Sequence, residues 1–270
     1  MSVASIMVAL DTGEAAARRV RLAADLARRF EATLSGVAAR KLPSLGPAGD
    51  LGAAQATYDE EQAKLADELA RAEEIFRAGA GADIRTGWRQ AEAAPEAFLV
   101  RQARGTDLVV VGRDAGRTGH DAMVPDPGMV LMEAGRLVLV VPPGVERLDA
   151  ARIVIAWKDA PEARRAVSAA LPFVGRADKV FVAAAGSEAR FEGADEVSDL
   201  LCRHGAHVTT NLLDAPGGEI ADAVLRFAKR EDADLVVMGG YGHSRLREWL
   251  FGGVTRDMLR TSPLCCLMSH

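Results

Sequence analysis

The chain has 270 residues, which is too long for one ordinary hydrophobic core and predicts two domains. Hydrophobic residues make up 49% and charged residues 26% of the sequence, a composition typical of a globular protein rather than a disordered one. The net charge of −5 offers no basic surface for a phosphodiester backbone, so nucleic acid is excluded as an expected partner.

The N-terminal segment and the apolar runs predict neither a secretory signal nor a membrane-spanning segment. The N-terminal sequence MSVASIMVALD has no basic segment before its short apolar run, so it is unlike a secretory signal. No apolar run reaches the roughly 18 to 20 residues needed to cross a bilayer, and no membrane contact is expected. The 3 cysteines are too few for a disulfide framework. Together these features predict a cytoplasmic protein.

The first half of the chain alternates strand and helix patterns. Short β-branched apolar runs predict strands at Ile6–Leu10 and Leu108–Val111. The stretch Lys41–Thr57 is rich in Pro, Gly and Ala and predicts a long surface loop. A helix follows it, with an apolar face at helical spacing made of Leu65, Leu69, Ala72 and Phe76.

The second half repeats this alternation after a predicted linker at Val145–Ala150, which follows Pro142, Pro143 and Gly144. Strands are predicted at Ile153–Trp157 and Leu235–Met238, and the adjacent Cys265 and Cys266 lie in a further apolar run that predicts buried, reduced thiols in a strand. The helix between these strands has an apolar face made of Ile220, Val224, Phe227 and Ala228.

The two halves are near-copies in order and spacing. TDLVVVGR in the first half matches ADLVVMGG in the second, which aligns Gly112 with Gly239 at a separation of 127 residues. The same separation aligns Leu137 with Leu264, so we infer an internal duplication. Continuous apolar strands between amphipathic helices predict, in each half, a doubly wound parallel sheet covered by helices on both faces.

A glycine-rich loop follows the strand Leu235–Met238. Ligands of open parallel sheets bind at the carboxyl ends of the strands, where the strand order reverses. Gly239 and Gly242 would let the backbone turn tightly beside a ligand. Gly252 and Gly253 precede a predicted helix, VTRDMLR, whose first N–H groups attract an anion. The pattern indicates a phosphate site, with simple turn residues as the alternative.

The spacing G-x-x-G, nine residues, then G and a small residue resembles the nucleotide-binding signature of the universal stress protein family. The resemblance covers the whole chain as a tandem pair, and implies a five-stranded Rossmann-like sheet in each domain. It divides the chain into residues 1–145, with a degenerate nucleotide site, and residues 151–270, with a retained one. Some members of that family bind ATP and others bind no nucleotide.

The resemblance also assigns roles to particular residues of the second half. Gly239 and Gly242 would wrap the ribose and first phosphates, and the residues around Gly253 would donate N–H groups to the outer phosphates. Asp159 matches the acid that contacts the nucleoside. The complete site implied in this way consists of Asp159, Ala185, Met238, Gly239, Tyr241, Gly242, Gly252, Gly253, Val254 and Thr255.

Two residues of this site depart from the family pattern. Gly253 stands where ATP-binding members usually have Ser or Thr, so the hydroxyl group is missing. The hydrogen bond lost with it contributes about 0.5–1.5 kcal/mol to binding. Ala185 is small at the position where the adenine would pack, which reduces apolar contact. Both departures predict weaker binding of ATP than in the family's ATP-binding members.

The first half departs further from the pattern. Gly112 is retained, but Ala115 stands opposite Gly242, and Pro125 and Asp126 stand opposite Gly252 and Gly253. Proline removes an N–H donor and an acidic side chain repels phosphate, so this half is predicted to bind no ATP phosphates. Asp11 is retained after the first strand of this half, but one acidic residue alone does not indicate a nucleotide site.

Other residues admit two interpretations. Asp159 begins Asp-Ala-Pro-Glu, which has capping-box spacing, so it is a helix cap, a nucleoside ligand or both. Cys202, His204 and His207 have ligand-like spacing, but Gly205 predicts a helix end between them and argues against a metal site. His243 and Arg245 could approach a phosphate or be solvated loop residues.

The function expected from these patterns is regulatory binding of ATP or a related adenine nucleotide, with or without Mg²⁺, in the second half. The alternative is an interaction scaffold with a vestigial pocket. No P-loop, dinucleotide, hydrolase or metalloprotease motif occurs, so enzyme activity is not expected, with slow ATP hydrolysis as a third alternative. The resemblance implies that the two halves pack as an internal pseudo-dimer, and further homodimerisation is left open.

Overall fold

A computed structural model describes residues 2–43, 51–113, 122–185, 193–215, 219–242 and 253–270. The strands are β1 (Ser5–Ala9), β2 (Thr33–Arg40), β3 (Thr86–Glu92), β4 (Leu108–Gly112), β5 (Leu137–Val141), β6 (Arg152–Trp157), β7 (Lys179–Ala185), β8 (Val208–Leu213), β9 (Leu235–Gly239) and β10 (Cys265–Ser269). The α-helices are α1 (Glu14–Phe30), α2 (Leu51–Ala80), α3 (Pro95–Gln102), α4 (Pro127–Glu133), α5 (Pro161–Val174), α6 (Ala194–Arg203), α7 (Ile220–Arg230) and α8 (Val254–Thr261).

All these strands form one ten-stranded sheet in the order β3-β2-β1-β4-β5-β10-β9-β6-β7-β8. Each half contributes five parallel strands, with the order reversing between its first and fourth strands. The halves meet where β5 and β10 pair antiparallel, with Leu139 opposite Leu267. The predicted pair of Rossmann-like, doubly wound units is confirmed, and their sheets are continuous.

Two hydrophobic clusters cover the two faces of the sheet because side chains alternate along each strand. One face, here called face A, packs against α1, α2, α5 and α6. The opposite face, face B, packs against α3, α4, α7 and α8. Both clusters contain residues of both halves, so the core extends across the β5–β10 seam. In the described residues, no helix combines the length and apolar character needed to cross a membrane.

The adjacent cysteines illustrate this alternation. Cys265 lies in the face A cluster and Cys266 in the face B cluster, and both are buried, as predicted from the apolar run. Burial raises the pKa of the Cys265 thiol to about 12 and that of Cys266 to about 11. Both groups therefore remain protonated thiols at neutral pH.

The predicted surface loop at Lys41–Thr57 is wrong over its last residues. Helix α2 already begins at Leu51, and residues 44–50 lie outside the described part of the chain. The sequence AAQA at positions 53–56 has high helix propensity, which outweighs the single Gly52. The predicted apolar face of α2 is confirmed, since Leu65, Leu69, Ala72 and Phe76 are all buried.

The last strands of the two halves, β5 and β10, align differently in the structure than the sequence repeat predicts. The separation of 127 residues holds for the N-caps of α4 and α8, which are Asp126 and Gly253. In the sheet, however, Leu108 pairs with Leu137, whereas Leu235 pairs with Cys265. The alignment of Leu137 with Leu264 is therefore wrong by one residue, because α8 has eight residues and α4 has seven.

The predicted linker at Val145–Ala150 packs against the fold. Leu148 and Ala150 are buried. Arg29 of α1 donates hydrogen bonds of 2.7 Å to the carbonyl oxygens of Leu148 and Asp149. The chain between the halves is thus held by the first half, which limits its freedom as a hinge.

Candidate functional site

The reversal of strand order in the second half creates a crevice between β6 and β9. From this point β7 continues on one side of β6, and β10 lies on the other side of β9. The connections after β6 and β9 therefore leave in opposite directions at the carboxyl edge of the sheet. Asp159 follows β6, Ala185 ends β7, and Met238 and Gly239 end β9. The predicted site residues of these strands thus lie at one edge.

Hydrogen bonds fix the start of the loop after β9. The amide of Gly240 donates to the carbonyl of Ser269 at 2.9 Å, which ties the loop to the end of β10. The amide of Tyr241, whose φ is 51°, donates to Oγ1 of Thr255 at 3.1 Å. Thr255 is buried in the first turn of α8, so its side chain joins loop and helix.

The glycines of this loop are needed for close packing. A Cβ atom on Gly239 would lie 2.6 Å from the backbone nitrogen of Ala163 in α5. One on Gly242 would lie 2.6 Å from Oε1 of Glu162. One on Gly240 would lie 2.5 Å from Leu131 of α4 in the first half. The loop backbone therefore lies directly against α5 and against the other half.

The N-terminus of α8 has no side-chain cap among the described residues. Its N-cap is Gly253, in extended conformation, and no described side chain accepts a hydrogen bond from the first-turn amides. Amides of the first turn of a helix have no intrahelical acceptor, so those of Val254 and Thr255 are available to an anion. The predicted helix after the glycine pair is confirmed.

The equivalent helix of the first half carries its own anion. The carboxylate of Asp126 accepts hydrogen bonds from the amides of Gly128 at 2.7 Å and Met129 at 3.1 Å. Pro127 occupies the first helical position and has no amide to offer. The two helices thus occupy the same place in the repeat, but a carboxylate caps α4, whereas no side chain of the described residues caps α8.

Four predicted residues border the apolar cluster of face B at this edge: Ala185, Met238, Tyr241 and Val254. Met238 is 5% exposed, and the other three are partly exposed. The Tyr241 side chain extends to the first half, where a Cβ atom on Gly128 would meet its hydroxyl.

Asp159 does not cap α5, so the capping interpretation is wrong. The N-cap is Ala160, and no side chain bonds the first-turn amides. Instead, Oδ1 of Asp159 accepts hydrogen bonds from Nε and Nη2 of Arg164 at 2.9 and 2.6 Å. Pro161 fixes the first turn, and the guanidinium of Arg164 in the next turn holds the carboxylate through two hydrogen bonds to the same oxygen.

A buried ion pair occupies the corresponding edge of the first half. Arg19 is 4% exposed and donates to the carbonyl of Ala9 at 3.0 Å and to Asp11 at 2.5 Å. A Cβ atom on Gly112 would lie 2.8 Å from Nη1 of Arg19. Asp11 is therefore engaged by an internal cation at the crevice of this half.

Some predicted residues fall outside the described part of the chain. These are Gly252 of the site, His243 and Arg245 of the loop, and Ala115 of the first half. Across the described ranges, no group of three His, Cys, Asp or Glu residues is arranged to hold a metal ion. Gly205 has a φ of 85° just after α6, which confirms the helix end predicted there.

Sequence reasoning missed two buried charged residues at these edges, Glu162 and Arg19. Arg19 lies three residues after Ala16 and four before Ala23, on the apolar face of α1, and this spacing could have indicated its burial. Glu162 was considered only as part of a capping box. Its burial results from the approach of Gly239 and Gly242, a contact between distant parts of the sequence.

Comparison with known proteins agrees with this architecture. A universal stress protein from Archaeoglobus fulgidus DSM 4304 superposes with a TM-score of 0.74 at 14% identity, covering 98% of this chain and 95% of that one. A putative universal stress protein from Pseudomonas aeruginosa UCBPP-PA14 gives 0.58 at 20% identity, with 99% and 93% covered. These likenesses establish the fold.

A shorter universal stress protein, solved in complex with cAMP, aligns at 25% identity over 44% of this chain and 95% of its own, with a TM-score of 0.38. No curated protein sequence matches this chain. The sequence profile of the Universal stress protein family matches two stretches, residues 3–124 and 183–270. These two matches, one in each half of a duplicated Rossmann-like fold, show that the chain belongs to the universal stress protein family.

Proposed function

We propose that this protein is a regulatory binder of an adenine nucleotide, with one site in its second half. The contrast between Asp126 and Gly253 carries the proposal. A carboxylate occupies the helix N-terminus in the first half, and the same position in the second half is a glycine that leaves the amides open. A phosphate group is the ligand that these amides and the helix dipole favour.

The proposed contacts follow the geometry of the crevice. The adenine would pack on face B against Ala185 and Met238, beside Tyr241. The phosphates would extend to the first-turn amides of α8, at Gly253, Val254 and Thr255, with Gly252 preceding them. ATP and bound Mg²⁺ are the specific ligands we propose to test first, with Asp159 near the nucleoside.

The proposed organisation keeps the division into residues 1–145 and 151–270. The antiparallel β5–β10 pairing supports an internal pseudo-dimer of these halves, in which only the second binds nucleotide. We place the protein in the cytoplasm, consistent with three unpaired cysteines. The proposal contains no catalytic step.

The variant Gly253→Asp tests the site directly because it copies the first-half cap into the second half. The new carboxylate should accept hydrogen bonds from the first-turn amides of α8, which stabilises the helix by about 0.2–0.5 kcal/mol, since glycine is itself a tolerated N-cap. The same carboxylate competes with and repels phosphate, so affinity for ATP should fall at least tenfold. Calorimetry with ATP and Mg²⁺ and thermal melting measure the two effects on the same sample.

Loss of binding without loss of stability would separate a site effect from unfolding. The matched control is Gly105→Ala, because a Cβ atom there meets nothing within 4 Å. This control should bind ATP like the unmodified protein. Mass spectrometry of the purified protein should also detect a co-purified adenine nucleotide. Absence of binding at millimolar ATP would contradict the proposal.

An interaction scaffold with a vestigial pocket is the second candidate, and one observation favours it. Gly239, Gly240 and Gly242 each lie against a protein atom that a Cβ would strike, so packing alone accounts for these glycines. Under this alternative, Gly253→Asp leaves the protein's regulatory behaviour intact although it closes the helix N-terminus. Under the nucleotide proposal, the same change abolishes that behaviour.

A further inference from the structure

Glu162 is a buried carboxylate inside the proposed nucleotide crevice. It is the second residue of α5, directly after Pro161, and is 9% exposed. Its Cγ lies 2.7 Å from the position that a Cβ atom on Gly239 would take, and its Oε1 lies 2.6 Å from the corresponding position on Gly242. The side chain therefore runs along the glycine loop from the end of β9 to Gly242.

The carboxylate has no hydrogen-bond or ion-pair partner among the described residues. The nearby cation Arg164 is engaged by Asp159 instead. In the described ranges, Nε of Arg113 is the only side-chain nitrogen or oxygen that is fully buried and has no hydrogen-bond partner, so the oxygens of Glu162 keep some solvent-accessible surface. A nearly buried acid with unused acceptor sites indicates a ligand that brings donors.

An ionised carboxylate only accepts hydrogen bonds, and this property selects its partner. A phosphate group at neutral pH also offers acceptors, so it would be repelled at Gly242. The hydroxyl groups of a ribose are donors, and acidic side chains bind them in other nucleotide-binding sheets. We propose that Glu162 accepts hydrogen bonds from the ribose hydroxyls of the bound nucleotide and thereby selects ribonucleotides over deoxyribonucleotides.

This inference rests on the proposed function, and it refines the assignment of the loop. Gly239 and Gly242 would then adjoin the sugar alone, with the phosphates confined to the N-terminus of α8. A bridging cation is the competing role for a carboxylate at this place. In the described ranges Glu162 belongs to no group of three or more His, Cys, Asp or Glu residues that could hold a metal ion, which favours the ribose.

The test compares ATP with 2′,3′-dideoxy-ATP, which lacks both ribose hydroxyls. The unmodified protein should bind ATP at least tenfold more tightly than the dideoxy analogue. Glu162→Gln preserves the shape but removes the charge, and should reduce that preference to about threefold or less. Glu14→Gln is the matched control, because Glu14 begins α1 of the first half three residues after Asp11 and is exposed. It should retain the full preference.

The outcomes separate this inference from the proposed function. Equal affinity of the unmodified protein for both nucleotides, or an unchanged preference in Glu162→Gln, overturns the ribose role and leaves nucleotide binding standing. If Glu162→Gln loses affinity equally for both nucleotides, and only when Mg²⁺ is present, Glu162 binds a cation. That result also overturns the ribose role. Failure of the unmodified protein to bind either nucleotide overturns both proposals. Circular dichroism verifies that each variant is folded.

Discussion

At the scale of single residues, the two crevices of this protein differ in their charged groups. In the first half, Arg19 and Asp11 are buried together, and the guanidinium lies beside Gly112. In the second half, Glu162 lies beside Gly239 and Gly242, and no cation pairs with it among the described residues. The equivalent glycines Gly112 and Gly239 thus lie beside a paired arginine in one half and beside a glutamate in the other.

The first prediction concerns this buried ion pair. The Arg19 and Asp11 side chains are 5% and 9% exposed, so Arg19→Met would leave a buried carboxylate without its cation. The expected loss of unfolding free energy is about 3–5 kcal/mol, measured by urea denaturation. The control Arg71→Met breaks an exposed pair with Asp67, 54% and 67% exposed, and should cost less than about 1 kcal/mol. Similar losses in both variants would contradict the account.

Single residues also show which features the sequence predicts and which it does not. Apolar spacing alone located the faces of the helices, because periodicity is a local property. The contacts of Glu162 with Gly239 and of Arg19 with Gly112 join residues far apart in the chain, and no local pattern encodes them. The sequence therefore indicates the glycines of the loop after β9, but not the charged side chains that pack beside them.

At the scale of elements, α4 and α8 are copies that differ at their N-termini. Asp126 caps α4, whereas the N-cap of α8 is Gly253, which has no side chain to accept hydrogen bonds from the first-turn amides. The sequence alignment anticipated this difference, since both positions follow from one separation of 127 residues. The alignment misplaced the strand after α8 by one residue. The apolar runs of β5 and β10 have similar compositions, so the sequence does not reveal that α8 is one residue longer than α4.

The second prediction tests the internal cap of α4. Asp126→Ala removes the acceptor of the Gly128 and Met129 amides, so the free energy of unfolding should fall by about 0.5–2 kcal/mol. Urea denaturation followed by circular dichroism measures the change. Glu133→Ala, at the opposite end of the same helix and exposed, should show no such loss. Equal stability of Asp126→Ala and the unmodified protein would refute the capping role.

At the scale of the whole molecule, the ten strands form one sheet and the two cores are continuous across the seam. Phe30 of α1 and Phe173 of α5 meet edge to face, with ring centroids 5.0 Å apart. Arg176 also donates to the carbonyl of Arg29 in the first half at 2.7 Å. Such continuity predicts that the halves unfold together.

The third prediction is a single cooperative transition. Variants that keep only Trp88, in β3, or only Trp157, in β6, report the two halves separately by fluorescence. Their urea midpoints and slopes should coincide with each other and with the circular dichroism transition. Separate midpoints for the two probes would indicate that the seam couples the halves weakly, against the structure's continuous core.

The central claim is that one half of this molecule binds nucleotide and the other is closed by its own side chains. Isothermal titration of the intact chain with ATP and Mg²⁺ measures the number of sites directly. The account predicts one nucleotide per chain. Two nucleotides per chain would contradict the closure of the first half by Asp126 and Arg19, and none would contradict the open N-terminus of α8 as a phosphate site.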